Sequence, residues 1–137
     1  MKNLYLIGTL PPEQMKKYSE EIFAALTSHG ITCLTPSFSD NAGEPTKELL
    51  FKSICDDVKR ARQILFISQN ETPDWGAMLG YAFALKKEII ILSEHDNLIP
   101  FMGARMSSKI IFVDNLEKIV EYIEKLVTEI KKPKKKN

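Results

Sequence analysis

Two carboxylates near the middle of the chain stand where a buried strand is expected to lead into a helix. Glu71 and Asp74 follow the apolar run Gln63 to Ile67, and Trp75 and Gly76 come directly after them. A carboxylate in such a loop can serve as a nucleophile or as a general acid or base. The indole could stack on a planar base, and the glycine lets backbone approach a ligand closely. The segment therefore indicates carboxylate chemistry on a small molecule.

The same side chains also have purely structural interpretations. Asp74 could be the N-cap of the following helix, and Trp75 could be a packing residue of the core. Asp56 and Asp57 lie on the preceding predicted helix, where a solvated charge or a salt bridge would explain either residue. We keep both interpretations open for each position.

Cysteine and histidine spacing argues against a metal or cofactor site. Cys33 and Cys55 each lie inside an apolar pattern with no CxxC spacing, which favours buried, reduced thiols. His29 and His95 lack ligand partners at the spacing of a metal site. We therefore expect no metal and no cofactor, and reduced thiols fit a cytoplasmic location.

Charge and hydropathy exclude two classes of partner. The 137 residues include 19 Lys and Arg against 18 Asp and Glu, for a net charge of +1. Such a balance creates no field that would hold a long polyanion, so nucleic acid is not expected as a partner. No stretch reaches the roughly 18 apolar residues of a membrane span, so no membrane partner is expected either.

Apolar runs and amphipathic segments alternate along the chain and predict the elements that position the carboxylates. The predicted strands are residues 2–8, 31–35, 63–67, 88–92 and 109–113, and the predicted helices are about 15–29, 46–60, 74–86 and 116–130. This alternation predicts an α/β domain over residues 1–130: a doubly wound, flavodoxin- or Rossmann-like sheet of five parallel strands, order 2-1-3-4-5, with helices on both faces. Residues 131–137 are expected to form a lysine-rich, flexible tail.

Such sheets bind ligands beyond the carboxyl ends of their strands. The segments expected at that edge are residues 8–12, 36–45, 68–76 and 93–106, and residues 93–108 are predicted to be a loop. Glu71, Asp74 and Trp75 fall within the third segment. The predicted topology therefore brings the candidate chemistry to the usual ligand edge.

Three segments carry a resemblance to a known family. They are residues 4–10 (LYLIGTL), 54–67 (ICDDVKRARQILFI) and 74–87 (DWGAMLGYAFALKK). In this order they resemble the nucleoside 2-deoxyribosyltransferase family and its short relatives, the deoxynucleoside monophosphate N-glycosidases. The third segment is the most specific, because the family pattern there places glycine, then glutamate, an aliphatic residue and Gly-Tyr-Ala. Gly80 would permit close helix packing in that pattern.

The resemblance implies a catalytic carboxylate that this chain lacks. Family enzymes use the glutamate of that pattern as a nucleophile on the sugar, and Met78 occupies its position. A thioether cannot form the glycosyl ester, and losing such a nucleophile can cost on the order of a millionfold in turnover. The family's second carboxylate falls on Ile54, with Asp57 as the better substitute nearby. Glu71 or Asp74 could instead supply a displaced carboxylate.

Three functions remain open at the level of sequence. The resemblance implies a protein that binds a nucleoside or nucleotide and transfers or hydrolyses the N-glycosidic bond in altered form, with Asp57, Glu71 or Asp74 as the catalytic candidates. The same pocket could instead serve a non-catalytic sensor or scaffold. A TIR-like or flavodoxin-like signalling module shares the alternation of elements. The predicted ligand-binding residues are Gly8, Thr9, Leu10, Asp74, Trp75, Gly76, Met78 and Asn97.

The resemblance also implies an assembly. Family members share pockets across subunits, and residues 97–106 correspond to a segment that completes a neighbouring subunit's pocket. We therefore expect a homodimer or a higher homo-oligomer.

Overall fold

The computed structural model describes residues 3–8, 12–34, 47–68, 73–94, 98–115, 118 and 121–132. The strands are β1 (Asn3–Gly8), β2 (Thr32–Leu34), β3 (Gln63–Ser68), β4 (Glu88–Glu94) and β5 (Lys109–Val113). The helices are α1 (Pro12–Ser28), α2 (Lys47–Arg60), α3 (Pro73–Ala84), α4 (Phe101–Met106) and α5 (Ile123–Lys131). None of the described helices has the length and apolar composition that crossing a membrane requires.

The strands pair in one parallel sheet in the order β2-β1-β3-β4-β5. Gly8 lies opposite Ile67 and Ser68 lies opposite Ser93, so β1, β3 and β4 reach the same carboxyl edge. Parallel strands need crossover connections, and here helices supply them. The predicted α/β class with a parallel sheet is confirmed.

Two apolar clusters cover the two faces of the sheet. Along β3, Leu65 and Ile67 belong to one cluster, whereas Ile64 and Phe66 belong to the other, as expected when successive side chains point to opposite faces. The first cluster is completed by α1 and α5, and the second by α2 and α3. Every residue of β3 is buried, which explains why its sequence is an uninterrupted apolar run after Gln63.

Two helices are followed by a residue with left-handed backbone conformation. In each case the N–H of the next residue then donates to a carbonyl group in the last turns of the helix. After α1, Gly30 has φ 78°, and the Ile31 N–H donates to the Leu26 carbonyl at 2.9 Å. The predicted helix end at Gly30 is therefore confirmed. After α3, Lys86 adopts φ 59° and the Lys87 N–H donates to the Ala82 carbonyl at 3.1 Å. A residue with a Cβ is strained in this conformation, so the second cap is the less favourable one.

The predicted loop 93–108 was wrong in two respects. Strand β4 continues to Glu94, and the six-residue helix α4 follows Pro100. A helix of six residues is too short to show a recognisable period, which is why the sequence did not predict it. Packing fixes it instead: a Cβ added to Gly103 would lie 3.0 Å from the ring of Trp75.

The carboxyl end of α5 is held from the amino edge of the sheet. Lys109 Nζ donates to the carbonyl groups of Glu129 and Lys132, and Gln63 Nε2 donates to that of Ile130 at 2.8 Å. Glu88 lies between them, with Oε2 2.9 Å from Gln63 Nε2 and Oε1 3.5 Å from Lys109 Nζ. These contacts satisfy carbonyl groups that a helix end leaves without partners.

Candidate functional site

A groove lies between α2 and α3. Its volume is about 400 Å³. Asp74 marks one end of the groove, because this residue lies in the first turn of α3, the helix that follows β3 in the chain. The lining is mostly apolar and consists of Phe51, Ile54, Cys55, Val58, Asp74, Ala77, Met78 and Tyr81. Among these residues, Asp74 is the single carboxylate.

The groove brings together the two positions at which the resemblance expects carboxylates. Ile54 from α2 and Met78 from α3 both line it, and both pack against the apolar cluster on that face. Neither side chain can ionise, donate a proton or form an ester. The groove therefore offers apolar surface at the positions where an acid pair would stand.

Asp74 is an exposed residue of the first turn of α3. The alternative interpretation of Asp74 as an N-cap was wrong, because the helix already includes Pro73, a residue well suited to a first helical position. A carboxylate in the first turn is stabilised by the helix dipole. It also places negative charge at the point where the helix would otherwise attract an anion.

Asp57 lies away from the groove. Its carboxylate accepts a hydrogen bond from Arg60 at 2.5 Å, and it lines a separate polar depression on α2 together with Lys52, Asp56 and Lys59. The structure therefore does not bring Asp57 together with Asp74 and Met78. The salt bridge considered from the sequence accounts for its position.

Trp75 belongs to the core. Its ring is 1% exposed and meets Phe66 edge-on, with the ring centroids 5.6 Å apart. The indole also lines a second cavity of about 400 Å³ between α3 and α4. Its packing against Gly103 holds α4 close to α3. In this arrangement its main contacts are structural.

The two glycines of α3 both have open surroundings, and only Gly80 differs from the expectation for it. Gly80 was expected to permit close helix packing, but none of the described atoms lies within 4 Å of a Cβ added at this position. The expectation was therefore wrong for contacts within the described chain. Gly76 is exposed and equally open, at the rim of the α3–α4 cavity, so backbone there remains accessible to a ligand.

Several predicted site residues lie outside the described residues: Thr9, Leu10, Glu71 and Asn97. Gly8 is described at the end of β1, at the carboxyl edge. Two buried serines at the same edge, Ser68 and Ser93, had not been selected as site residues. A signal existed in the sequence, since each serine closes an apolar strand.

The two cysteines lie in different surroundings. Burial raises the pKa of the Cys33 thiol to about 12, so this residue is a neutral, inert part of the core. Cys55 was also predicted to be buried, but it is only half-buried, because it lines the groove. Within the described residues, no group of three or more His, Cys, Asp or Glu side chains could hold a metal ion.

No protein-family model matches the chain, and no curated protein matches it by sequence. Several solved structures, in contrast, match its fold. The CMP N-glycosidase of Clostridium botulinum is 22% identical with a TM-score of 0.70, and the match covers 93% of this chain and 99% of that one. The 2-deoxyribosyltransferase of Bacillus psychrosaccharolyticus is 19% identical with a TM-score of 0.66, covering 88% and 91%.

A TIR domain matches to a similar degree. The TIR domain of a Toll-related receptor from Hydra magnipapillata is 13% identical with a TM-score of 0.66, covering 94% of this chain and 98% of that one. At these identities the matches establish architecture, not chemistry. The chain thus has the α/β fold that the CMP N-glycosidase and the 2-deoxyribosyltransferase share, over nearly its whole length.

Proposed function

We propose that this protein binds a nucleoside at the carboxyl edge of the sheet without cleaving it by the covalent route. The observation that carries the proposal is that Met78 and Ile54 line one groove. Proteins of this fold include one named for cleaving CMP and another named for transferring 2-deoxyribosyl groups. A ligand of that class would meet Gly8 at the end of β1 and Asp74 at the start of α3.

The chemistry of the groove favours binding over catalysis. Retaining cleavage of a glycosidic bond needs one carboxylate to attack the anomeric carbon and an acid to protonate the leaving group. At the groove positions where these groups are expected, the chain supplies a thioether and a butyl side chain. Both can contact a sugar or a base through dispersion, and neither stabilises an oxocarbenium-like charge.

Asp74 bears on the phosphate preference. Its carboxylate lies in the first turn of α3, where exposed N–H groups would otherwise attract a phosphate. Like charges at this position repel, so a nucleoside or free base should bind more tightly than the corresponding monophosphate.

A second candidate function is cleavage through a displaced carboxylate. Asp74 lines the groove together with Met78, so its carboxylate is near the position that the missing glutamate would occupy. Glu71 stays a candidate on sequence grounds. Under this alternative, Asp74 or Glu71 would attack or activate water, and base would be released.

One experiment separates the two functions. The purified chain is titrated calorimetrically with deoxynucleosides and their monophosphates, and the same mixtures, with and without a free acceptor base, are followed by chromatography. We expect saturable nucleoside binding with no base release or exchange. Turnover that Asp74→Asn or Glu71→Gln abolishes would replace the binding function with the catalytic one. If neither binding nor turnover is measured, the proposal that the protein binds a nucleoside is wrong.

Asp57→Asn is the matched control for Asp74→Asn. Both substitutions neutralise one carboxylate, but Asp57 lies on the other side of α2, paired with Arg60. The Asp74 variant should bind the monophosphate several-fold more tightly relative to the nucleoside, whereas the Asp57 variant should keep the wild-type ratio. Equal behaviour of the two variants would contradict a site at Asp74.

A further inference from the structure

The amino edge of the sheet carries a concentration of positive charge. Helices α2, α3 and α5 end at this edge, and strands β3, β4 and β5 begin there, because the helices run opposite to the parallel strands on which they pack. The basic residues in the last turns of these helices, directly after them or at the strand starts are Lys59, Arg60, Arg62, Lys86, Lys87, Lys109, Lys131 and Lys132.

The carboxylates at this edge are fewer, and each is already paired. Three of them lie in the same segments, are half-buried and contact one basic residue each: Asp57 with Arg60, Glu88 with Lys109 and Glu129 with Lys132. The basic residues exceed them by five, or by four if Asp56, one residue before the last turn of α2, is included. Lys59, Arg62, Lys86 and Lys131 are exposed and form no ion pair within the described part of the chain.

Capping of the helix ends does not account for these four exposed cations. Basic side chains near the end of a helix can donate to its last carbonyl groups. At this edge Lys87 Nζ donates to the Lys59 carbonyl at 2.7 Å, and Lys109 Nζ donates to the carbonyl groups of Glu129 and Lys132. The exposed cations make no such bond among the described residues, so their charged groups are accessible to an external anion.

Lys86 occupies a position where glycine would be more stable. Its φ of 59° lies in the left-handed region, which costs a residue with a Cβ more than it costs glycine. The side chain is exposed and contacts no described carboxylate, so no ion pair in the described chain offsets this strain. Strained residues of this kind cluster at functional sites. The strain therefore favours a role for the Lys86 charge outside the folding of the chain.

The cations are spread over a broad surface. The ends of α2 and α3 lie on one face of the sheet and the end of α5 lies on the other, so the charges cover both helix layers and the strand starts between them. A small anion would need cations that converge on one point, and an extended peptide would need them along one line. A broad anionic surface fits this distribution better than either.

Exposed apolar side chains stand next to the cations. Phe83 is 50% exposed and Leu85 is 37% exposed, directly before Lys86 in the chain. Apolar side chains beside lysines suit the boundary between lipid headgroups and acyl chains. Contacts to a nucleic acid backbone are made instead by polar and basic groups. The combination therefore favours a lipid surface.

We propose that the amino edge of the sheet docks on an anionic phospholipid bilayer, with the four exposed cations at the headgroups and Phe83 and Leu85 beside them. A peripheral contact of this kind requires no spanning segment, and the net charge of +1 is a sum over the whole chain that hides a pole of one sign. Residues 134–136, three further lysines, follow α5 in the sequence and would add to the same attraction. The inference does not depend on whether the protein binds a nucleoside.

Co-sedimentation of the full chain with large vesicles tests the docking. The vesicles contain phosphatidylcholine alone or with about 30% phosphatidylserine, in about 50 mM or about 300 mM salt. We expect roughly tenfold stronger partition onto the anionic vesicles at low salt, and loss of most of this preference at high salt. Equal partition onto both kinds of vesicle, or no binding at low salt, would overturn the proposal. Tighter binding to a DNA duplex than to the anionic vesicles would also overturn it, because the partner would then be a nucleic acid.

Matched substitutions locate the contact. Lys86→Gly removes one cation of the edge and relieves the backbone strain, so it should lower the vesicle partition about fivefold while raising the melting temperature. Because the two effects run in opposite directions, a loss of binding cannot be attributed to a loss of folding. Adding Arg62→Gln should lower the partition about fivefold further.

Lys17→Gln is the matched control for the loss of charge. It removes one positive charge from an exposed position in the first half of α1, away from this edge, and should keep the partition within about twofold of the wild type. A Lys86→Gly variant that binds the anionic vesicles as tightly as the Lys17→Gln variant would overturn the assignment of the amino edge as the docking surface.

Discussion

Ile54 on α2 and Met78 on α3 line the same groove, although 24 positions separate them in the chain. The resemblance expects carboxylates at both positions, and the groove places two apolar side chains there instead. Efficient glycosidic cleavage needs one carboxylate as the nucleophile and another as the acid. A change at one position alone would have left one of these two carboxylates in place. In this chain both positions, 54 and 78, carry apolar side chains.

Restoring the acid pair should create glycosidase activity if the fold is otherwise competent. We expect Met78→Glu to give detectable base release from a deoxynucleoside, and Met78→Glu with Ile54→Asp to exceed it by tenfold or more. Chromatography of the released base measures both. Met102→Glu is the control, since it adds a carboxylate at an exposed methionine of α4 outside this groove. A folded double variant as inert as the control would contradict the proposed alignment.

The Cys33 thiol should lower stability at alkaline pH. Its pKa is raised by burial to about 12 from an ordinary value of 9.0, so above pH 9 the unfolded chain ionises this thiol while the folded chain keeps it neutral. Stability is complete below pH 9 and falls by up to about 1.4 kcal/mol per pH unit as the pH rises toward 12.

Urea unfolding at pH 8 and pH 10.5 measures this loss. In Cys33→Ala the thiol contribution is absent, so the difference in stability between the two chains should narrow at the higher pH. A difference that stays constant over this range would show that Cys33 ionises alike in both states.

The backbone strain at the left-handed residue after α3 can be relieved by glycine. Lys86 has φ 59°, a conformation that costs a residue with a Cβ more than glycine. We expect Lys86→Gly to raise the free energy of unfolding by about 0.5–1 kcal/mol. The converse change, Gly30→Ala, should lower it by about 1 kcal/mol or more, because Gly30 has φ 78°. Lys17→Gly, on the exposed side of α1, is the control for Lys86→Gly. The same change of residue inside a helix should lower the free energy of unfolding instead of raising it.

Replacing the lysine that contacts the end of α5 should lower the stability of the protein more than replacing an exposed lysine. Lys109 is 14% exposed and donates to two carbonyl groups near the end of α5. Lys109→Met leaves those carbonyls and Glu88 without this donor, and should cost about 1–3 kcal/mol. Amide exchange in α5 should accelerate. Lys125→Met, at an exposed position, should change stability by less than about 0.5 kcal/mol.

The alternation of elements could be predicted from the sequence because it depends on local periods. The apolar run of β3 and the three- and four-residue spacing of the helices each reflect burial of one element against the rest. Gly30 likewise ends α1 for a local reason, its tolerance of positive φ. Helix α4 escaped prediction because six residues give no period, and because its position depends on the contact of Gly103 with Trp75.

The α/β class could be inferred from the amino-acid sequence alone, and so could the location of Met78 on a helix and its inability to act as an acid. The packing of the elements, in contrast, brings Ile54 and Met78 into one groove, pairs Asp57 with Arg60 and buries Trp75 in the core. A helical period tells which side of one helix faces the core. Which side chains from two different helices meet depends on how those helices pack on the sheet, and no single element encodes that relation.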